Sequence, residues 1–342
     1  MFAGASAAIA ACCVADSAPA RAVARGHAAG LIDVHHHILT PGASGAIRRF
    51  MAGWSPARAV EDMDRTGMAT GIAYPGPVLA GTPTEKAALA RANNEFAATL
   101  GRDHPGRFGL FASLPFPEVA ETHAEIDYVL DHLHADGFGL ATSYGDLWLG
   151  DPSFAPIYEK LNDRAAVIFV HPADAACCAM SRMSYGQNVM DGSWIEWPMN
   201  TARTILSLVA SGTLRRFPRI RFIFAHGGGV MPLLIRRMAG FADWPAVGAE
   251  GLLRFFPEGL ETAFAALHFE CAQAYAATNL GALRSLVPDT QLLFGSDYPI
   301  FPMTHATGDF ARASLNPAAR RAVARGNAEA LLPRWAQRRM AA

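Results

Sequence analysis

The run Leu31-Ile32-Asp33-Val34-His35-His36-His37 decides the fold. It starts as a short apolar segment of strand-forming residues and ends in a polar cluster. A first strand that feeds an open, doubly wound sheet usually turns into a glycine-rich phosphate loop, whereas this one turns into histidines. Moving outward, seven more short, mostly apolar runs occupy residues 70–74, 108–114, 137–142, 166–171, 221–226, 267–271 and 291–296. Near-continuous apolar character marks strands that are covered on both faces. The segments between them carry helix signals. Ser55-Pro56 caps and starts 57–66, Gly67 stops it, and Thr84-Glu85 open a long Ala-rich run. Residues 117–135, 154–164, 201–217, 231–241 and 279–287 follow the same logic. Eight alternating units predict an α/β chain closed as a (β/α)8 barrel, with a doubly wound sheet as the alternative.

Bulk properties fit an enzyme of small molecules. At 51% hydrophobic and 17% charged residues over 342 positions, the chain has enough apolar material for one large core and too little charge for disorder. A formal net charge of −1 provides no field to gather phosphate backbones, so nucleic acid is excluded as a partner, and the composition requires no membrane span. The five cysteines form two adjacent pairs, Cys12-Cys13 and Cys177-Cys178, plus Cys271, without the CxxC spacing of zinc or redox motifs.

Residues 1–30 differ from the rest, and the barrel is expected to be a single domain over 31–342. The apolar stretch 2–14, followed by Ala18-Pro19-Ala20, resembles a signal-peptide core and cleavage site without its basic start. Phe2-Ala3-Gly4-Ala5 resembles the segment after the paired arginines of a twin-arginine signal, and Ile9-Ala10-Ala11-Cys12 resembles a lipoprotein processing site. The other reading is a disordered Ala-rich extension. Export would place the protein in the periplasm.

In a parallel barrel the active site lies where the strands end and the βα loops converge. The first run ends in His35-His36-His37, the fifth in His171-Pro172, the sixth in His226-Gly227-Gly228-Gly229 and the eighth in Ser296-Asp297-Tyr298-Pro299. His35 and His37, two apart on extended backbone, leave on one face, while His36 points to the other. An isolated HxH is weak, but four independent strand ends bearing nitrogen and oxygen donors predict a divalent metal site. Imidazole and carboxylate suit Zn²⁺, Mn²⁺, Fe or Co with a position left for substrate.

These residues carry a resemblance. Asp33–His37, Phe169-Val170-His171-Pro172, Phe224–Gly229, Phe294–Pro299 and Gly326-Asn327-Ala328 resemble, in order, the motifs of amidohydrolase-related decarboxylases, TIM barrels of the metal-dependent hydrolase superfamily. That family includes the aminocarboxymuconate-semialdehyde, γ-resorcylate, 5-carboxyvanillate and 6-methylsalicylate decarboxylases. The likeness spans about residues 31–333. It implies one metal held by His35, His37, His171 and Asp297, zinc first and manganese second, with His226 as acid/base. It also implies a cytoplasmic homodimer in which Arg237, eleven residues past His226, reaches the partner's site. Two-metal relatives carry a carboxylated Lys or a Glu on the fourth strand, and Phe138–Ser143 offers neither.

Other candidates are less specific. Arg48 or Arg49 is a candidate to hold a substrate carboxylate, or the two form a solvated basic pair. Trp194 and Trp197 flank Glu196 in the loop after the fifth strand, as pocket walls or loop packing. His268 and Glu270 alternate onto one face of the seventh strand, with a functional or a structural role, and Cys177-Cys178 are assigned no chemistry. The leading expectation is non-oxidative decarboxylation of a small salicylate-like or enoic acid. There the ion chelates the carboxylate and an ortho oxygen, and Asp297 or His226 protonates the ring carbon. The rival is hydrolysis of a lactone or amide, with water activated by the ion and His226 as its base. A catalytically dead binding barrel would need a lost ligand, and all are present.

Overall fold

The computed structural model describes residues 30–178, 183–185, 188–190 and 192–340. The expectation for the N-terminal extension therefore lies, apart from Gly30, outside the described residues. Eight parallel strands run in sequence order around one sheet. They are β1 (Leu31–His37), β2 (Met68–Tyr74), β3 (Phe108–Ser113), β4 (Gly137–Ala141), β5 (Val167–His171), β6 (Arg221–Phe224), β7 (His268–Glu270) and β8 (Leu292–Leu293). Backbone bonds Val34 N to Phe294 O (3.0 Å), Asp297 N to His35 O (2.9 Å) and His37 N to Tyr298 O (2.7 Å) join the last strand's end to the first. The open doubly wound alternative is thereby set aside.

One principal helix follows each strand: α1 (Pro56–Thr66), α2 (Pro83–Asp103), α3 (Val119–Asp131), α4 (Ala155–Asp163), α5 (Glu196–Ala210), α6 (Met231–Ala239), α7 (Ala277–Arg284) and α8 (Met303–Arg312). The caps explain their starts. The Ser55 side chain accepts from Arg58 N and Gly67 ends α1 at φ 76°. In α2 the start lies one residue earlier than Thr84-Glu85 suggests, because Thr82 and Glu85 form a capping box with Pro83 in the first turn. The fifth helix starts at Glu196, five residues before the expected 201, so Glu196 and Trp197 are helical and not part of a loop. No helix among the described residues is long and apolar enough to cross a membrane.

The core has two layers. Ile32, Val34, Ile72, Phe111, Phe169 and Ile223 pack inside the barrel, while Phe138, Leu140, Val170, Phe224 and Leu208 pack in the layer outside it. Gly326-Asn327-Ala328 belongs to this scaffold. Asn327 Nδ2 donates to the carbonyls of Asp289 and Leu292, both at 2.7 Å, bracing the start of β8, and buried Trp335 reaches Asp136 Oδ1 at 2.9 Å.

Candidate metal centre

Five side chains predicted from four strand ends, His35, His37, His171, His226 and Asp297, meet above the barrel. His35 Nε2 lies 3.0 Å from His37 Nε2 and 3.2 Å from Asp297 Oδ1, which is itself 3.1 Å from His37 Nε2. Donor atoms of His35, His171, His226 and Asp297 all lie within 4.8 Å of one another. Two ligands each about 2.1 Å from one ion and roughly at right angles are about 3.0 Å apart, so the separations of 3.0 to 3.2 Å among His35, His37 and Asp297 suit a shared divalent cation. His36 turns away as expected, its ring against Phe108 and Tyr298.

Local structure makes the arrangement specific. Asp33, fully buried, accepts from His35 N (3.0 Å) and Ser296 N (2.9 Å) through one oxygen, and from Ser296 Oγ (2.5 Å) and His36 Nδ1 (3.1 Å) through the other. It thus fixes the backbone immediately beneath His35 and Asp297. His171 donates Nδ1–H to the Pro172 carbonyl at 2.8 Å, which leaves its Nε2 lone pair for the centre. The strand-six run ends earlier than expected, at Phe224, and His226 stands beyond it at φ 55°. Asp297 has φ 58°, so both groups expected to handle protons occupy left-handed backbone that non-glycine residues rarely adopt. Gly229 in the same turn admits a close approach, since a Cβ there would sit 2.2 Å from the Pro198 carbonyl oxygen.

The electrostatics describe a donor set waiting for positive charge. Burial lowers the His35 pKa, yet the neighbouring Glu270 and Asp297 carboxylates outweigh it and raise it to about 10. Burial holds His37 below its ordinary value and, with the His37 and His35 charges, His171 well below. Burial favours the neutral form of Asp297, but His35 and hydrogen bonds from His35 and His37 overcome it and hold the carboxyl well below the usual range. Burial likewise favours the neutral form of Glu270, but His35 holds its carboxyl below its ordinary value, so the two carboxylates together favour a positive charge at His35. A divalent ion would supply such a charge.

On the β4 side the centre is closed by an aromatic ring. A Cβ at Gly139 would lie 2.0 Å from Tyr74 Cε2, and the Tyr74 ring is 5.7 Å from that of His37 and 5.8 Å from that of His171. The fourth strand, which has no Lys or Glu over 138–143, thus packs on Tyr74 at Gly139.

The other candidates divide. Trp197 stands with its ring 5.9 Å from that of His171, anchored by Nε1 to Asp174 Oδ1 at 2.8 Å, whereas Trp194 is exposed. Arg48 and Arg49 lie exposed on the short helix Gly45–Phe50, and Arg48 donates to the carbonyls of Ala43 and Pro41. Arg237 is exposed on α6, its guanidinium 5.9 Å from the Phe241 ring centre, beside a depression of about 400 Å³. Cys177 is exposed. His268 sits at the start of β7, where burial and Arg221 push its pKa down to about 4. Glu270, two residues on, enters the centre itself: its Oε1 lies 2.8 Å from His35 Nδ1 and accepts from His226 N at 2.6 Å. Its signal in the sequence is a lone carboxylate between Phe269 and Cys271 at the end of the seventh strand.

The chain is similar to known proteins over most of its length. The Amidohydrolase family model matches residues 32–334. Decarboxylase yanB of Aspergillus niger is 34% identical, the match covering 80% of this chain and 78% of that protein. The 6-methylsalicylic acid decarboxylase acuB of Aspergillus aculeatus is 35% identical, covering 79% and 84%. Among solved structures, dihydroxybenzoic acid decarboxylase from Polaromonas sp. JS666, with bound manganese and the inhibitor 2-nitroresorcinol, shares the fold. It superposes at TM-score 0.71 and 19% identity over 89% of this chain and 97% of that one.

Proposed function

The chain belongs to the Amidohydrolase family, and from that premise we propose that it is a metal-dependent, non-oxidative decarboxylase of a small hydroxyaryl acid of the salicylate kind. The observation that carries the reading is the cluster of His35, His37, His171, His226 and Asp297 with the β4 side filled by Tyr74, a donor set for one ion and not two. Relatives at a third identity over most of their length are named decarboxylases. His35, His37, His171 and Asp297 would hold the ion. Zinc is the first expectation for an imidazole-rich set, and manganese, which the Polaromonas enzyme holds, the second.

When bound, the ion supplies Lewis acidity that draws electron density from a carboxylate and its ortho oxygen. The rest falls to the chain. Loss of CO2 breaks the bond between ring and carboxylate, and the ring carbon keeps one added proton in its place. Of the two candidates, His226 and Asp297, we assign delivery to His226, because Asp297 is held ionised among the histidines and has no proton of its own to give. His226 Nε2 stands 4.0 Å from Asp297 Oδ2, and the His226 side chain is 22% exposed, so it can recover its proton from solvent. Trp197 walls the site beside His171. Arg48 and Arg49, exposed on the short helix Gly45–Phe50, stay the candidates for holding the substrate carboxylate.

We place residues 31–342 in one barrel domain and the active unit as a homodimer. Arg237 shares a surface depression with Trp244, and Leu233, Trp244, Leu253 and Phe255, all within the segment 231–255, are apolar side chains each at least half exposed. A second copy covering them would gain from burying that surface and would bring its site within reach of Arg237. The hydrolase alternative would use the same residues, and neither the relatives nor the site favours it. A panel of salicylates scored for CO2, run beside a panel of lactones and amides scored for acid release, tests the assignment. CO2 from the first panel is the expected result.

A further inference from the structure

Glu270 is a carboxylate fully buried inside the barrel, and three groups share it. Its Oε1 is 2.8 Å from His35 Nδ1 and accepts the His226 amide at 2.6 Å, and its Oε2 accepts from Ala272 N at 2.7 Å. Room for it is made just past the neighbouring strand β8. A Cβ at Gly295 would lie 1.8 Å from Oε2, so any side chain there would evict the carboxylate. Gly295 is itself held at both ends by Tyr275, whose hydroxyl accepts from Gly295 N at 3.2 Å and bonds its carbonyl at 3.3 Å.

We propose that Glu270 is the positioning residue that couples the metal grip to proton transfer, with Gly295 as its socket. The inference rests on the metal site proposed above. A carboxylate on Nδ1 keeps the His35 proton there, turns Nε2 toward the ion and makes that nitrogen a better donor. The same oxygen anchors the backbone of His226, which is held at φ 55°, a conformation that persists only where the surroundings enforce it. One buried oxygen thus sets both the orientation of a ligand and the place from which His226 acts. A purely structural carboxylate would be replaced by its amide with little effect on either.

The test uses the full chain with cobalt(II) or zinc, reading the metal dissociation constant by competition with a chelator, the visible spectrum of the cobalt form, and kcat and KM at saturating metal. Glu270→Gln is expected to weaken metal affinity by about 10- to 100-fold, shift the cobalt bands, and lower kcat more than KM. Gly295→Ala, with Glu270 intact, is expected to do the same, and the double variant to be no worse than the poorer single one, because both act on one group. If Glu270→Gln fails to fold, Gly295→Ala and Glu270→Asp carry the test. Affinity within threefold of the parent in a folded variant, losses that multiply in the double variant, or unchanged kcat at saturating metal would overturn the proposal. Because affinity and spectrum are read without turnover, they stand even if the chain decarboxylates nothing.

Discussion

The amide of Asp297 donates to the carbonyl of His35 at 2.9 Å, and the two side chains meet again at 3.2 Å. Barrel closure and the proposed metal site therefore share one junction: the bond that joins the end of the eighth strand to the first also brings the carboxylate to the imidazole. Asp33 reinforces the junction through Ser296 N and His35 N. A site built on backbone pairing is stiff before any ion arrives, which is what a defined affinity requires.

Metal analysis of the purified protein should find about one divalent ion per chain, consistent with four protein donors around one centre. His171→Ala and Asp297→Ala should each remove both metal and activity. Two ions per chain would contradict the closure of the β4 side by Gly139 and Tyr74.

Much of this is legible in the sequence, for definite reasons. Strand ends that carry His or Asp after an apolar run announce themselves, and all five such residues meet in space. Glu270 is visible as an odd carboxylate on β7, but its role depends on contacts with His35 and His226, 235 and 44 positions away, which period-two alternation cannot reveal. The same alternation pairs it with His268, which lies beside Arg221 instead. Trp197 reads as a loop residue because the helix containing it starts without a side-chain cap at Ile195. Arg48 stands out as a cation near the first strand, and its local carbonyl partners cannot be foreseen from spacing.

His226→Asn should keep the ion and lose about 10²- to 10⁴-fold in turnover, the usual span for removing a general acid/base. The proposed ligand set is His35, His37, His171 and Asp297, which leaves His226, whose Nε2 is 4.0 Å from Asp297 Oδ2, for proton transfer. Metal content and turnover measured on one preparation check it, and loss of the ion would move His226 into the ligand set.

Metal binding should release a proton and tighten with rising pH. His35 is raised from 6.5 to about 10 by Glu270 and Asp297 against the effect of burial, so it carries a proton at neutral pH in the metal-free protein. That raised value contributes stability to the metal-free fold which is fully present below about pH 6.5 and is lost as pH rises through about 10. An ion on Nε2 competes with the proton, so apparent affinity should grow up to about tenfold per pH unit through neutrality. Calorimetry in buffers of different ionisation enthalpy should count about one proton released at pH 7.5, and a pH-independent affinity would contradict it.

Arg237→Ala should raise KM or lower kcat with the metal retained. Mixed with inactive His171→Ala chains under conditions where subunits exchange, it should recover part of the activity, because one site of the mixed dimer then has an intact metal centre and an intact arginine from across the interface. A fully active monomer, or exchange without recovery, would confine Arg237 to its own chain.

At the heart of the proposed reaction, a proton replaces a carboxylate at one ring carbon. The direct measurement is to incubate the metal-loaded protein in heavy water with 6-methylsalicylic acid or a related salicylate carrying an isotope-labelled carboxyl group. Labelled CO2 should appear in step with a phenol that bears one deuterium at the carbon that lost the carboxylate, and both should be abolished in His171→Ala. Turnover of a lactone or amide by the same loaded protein, with every salicylate left intact, would contradict it.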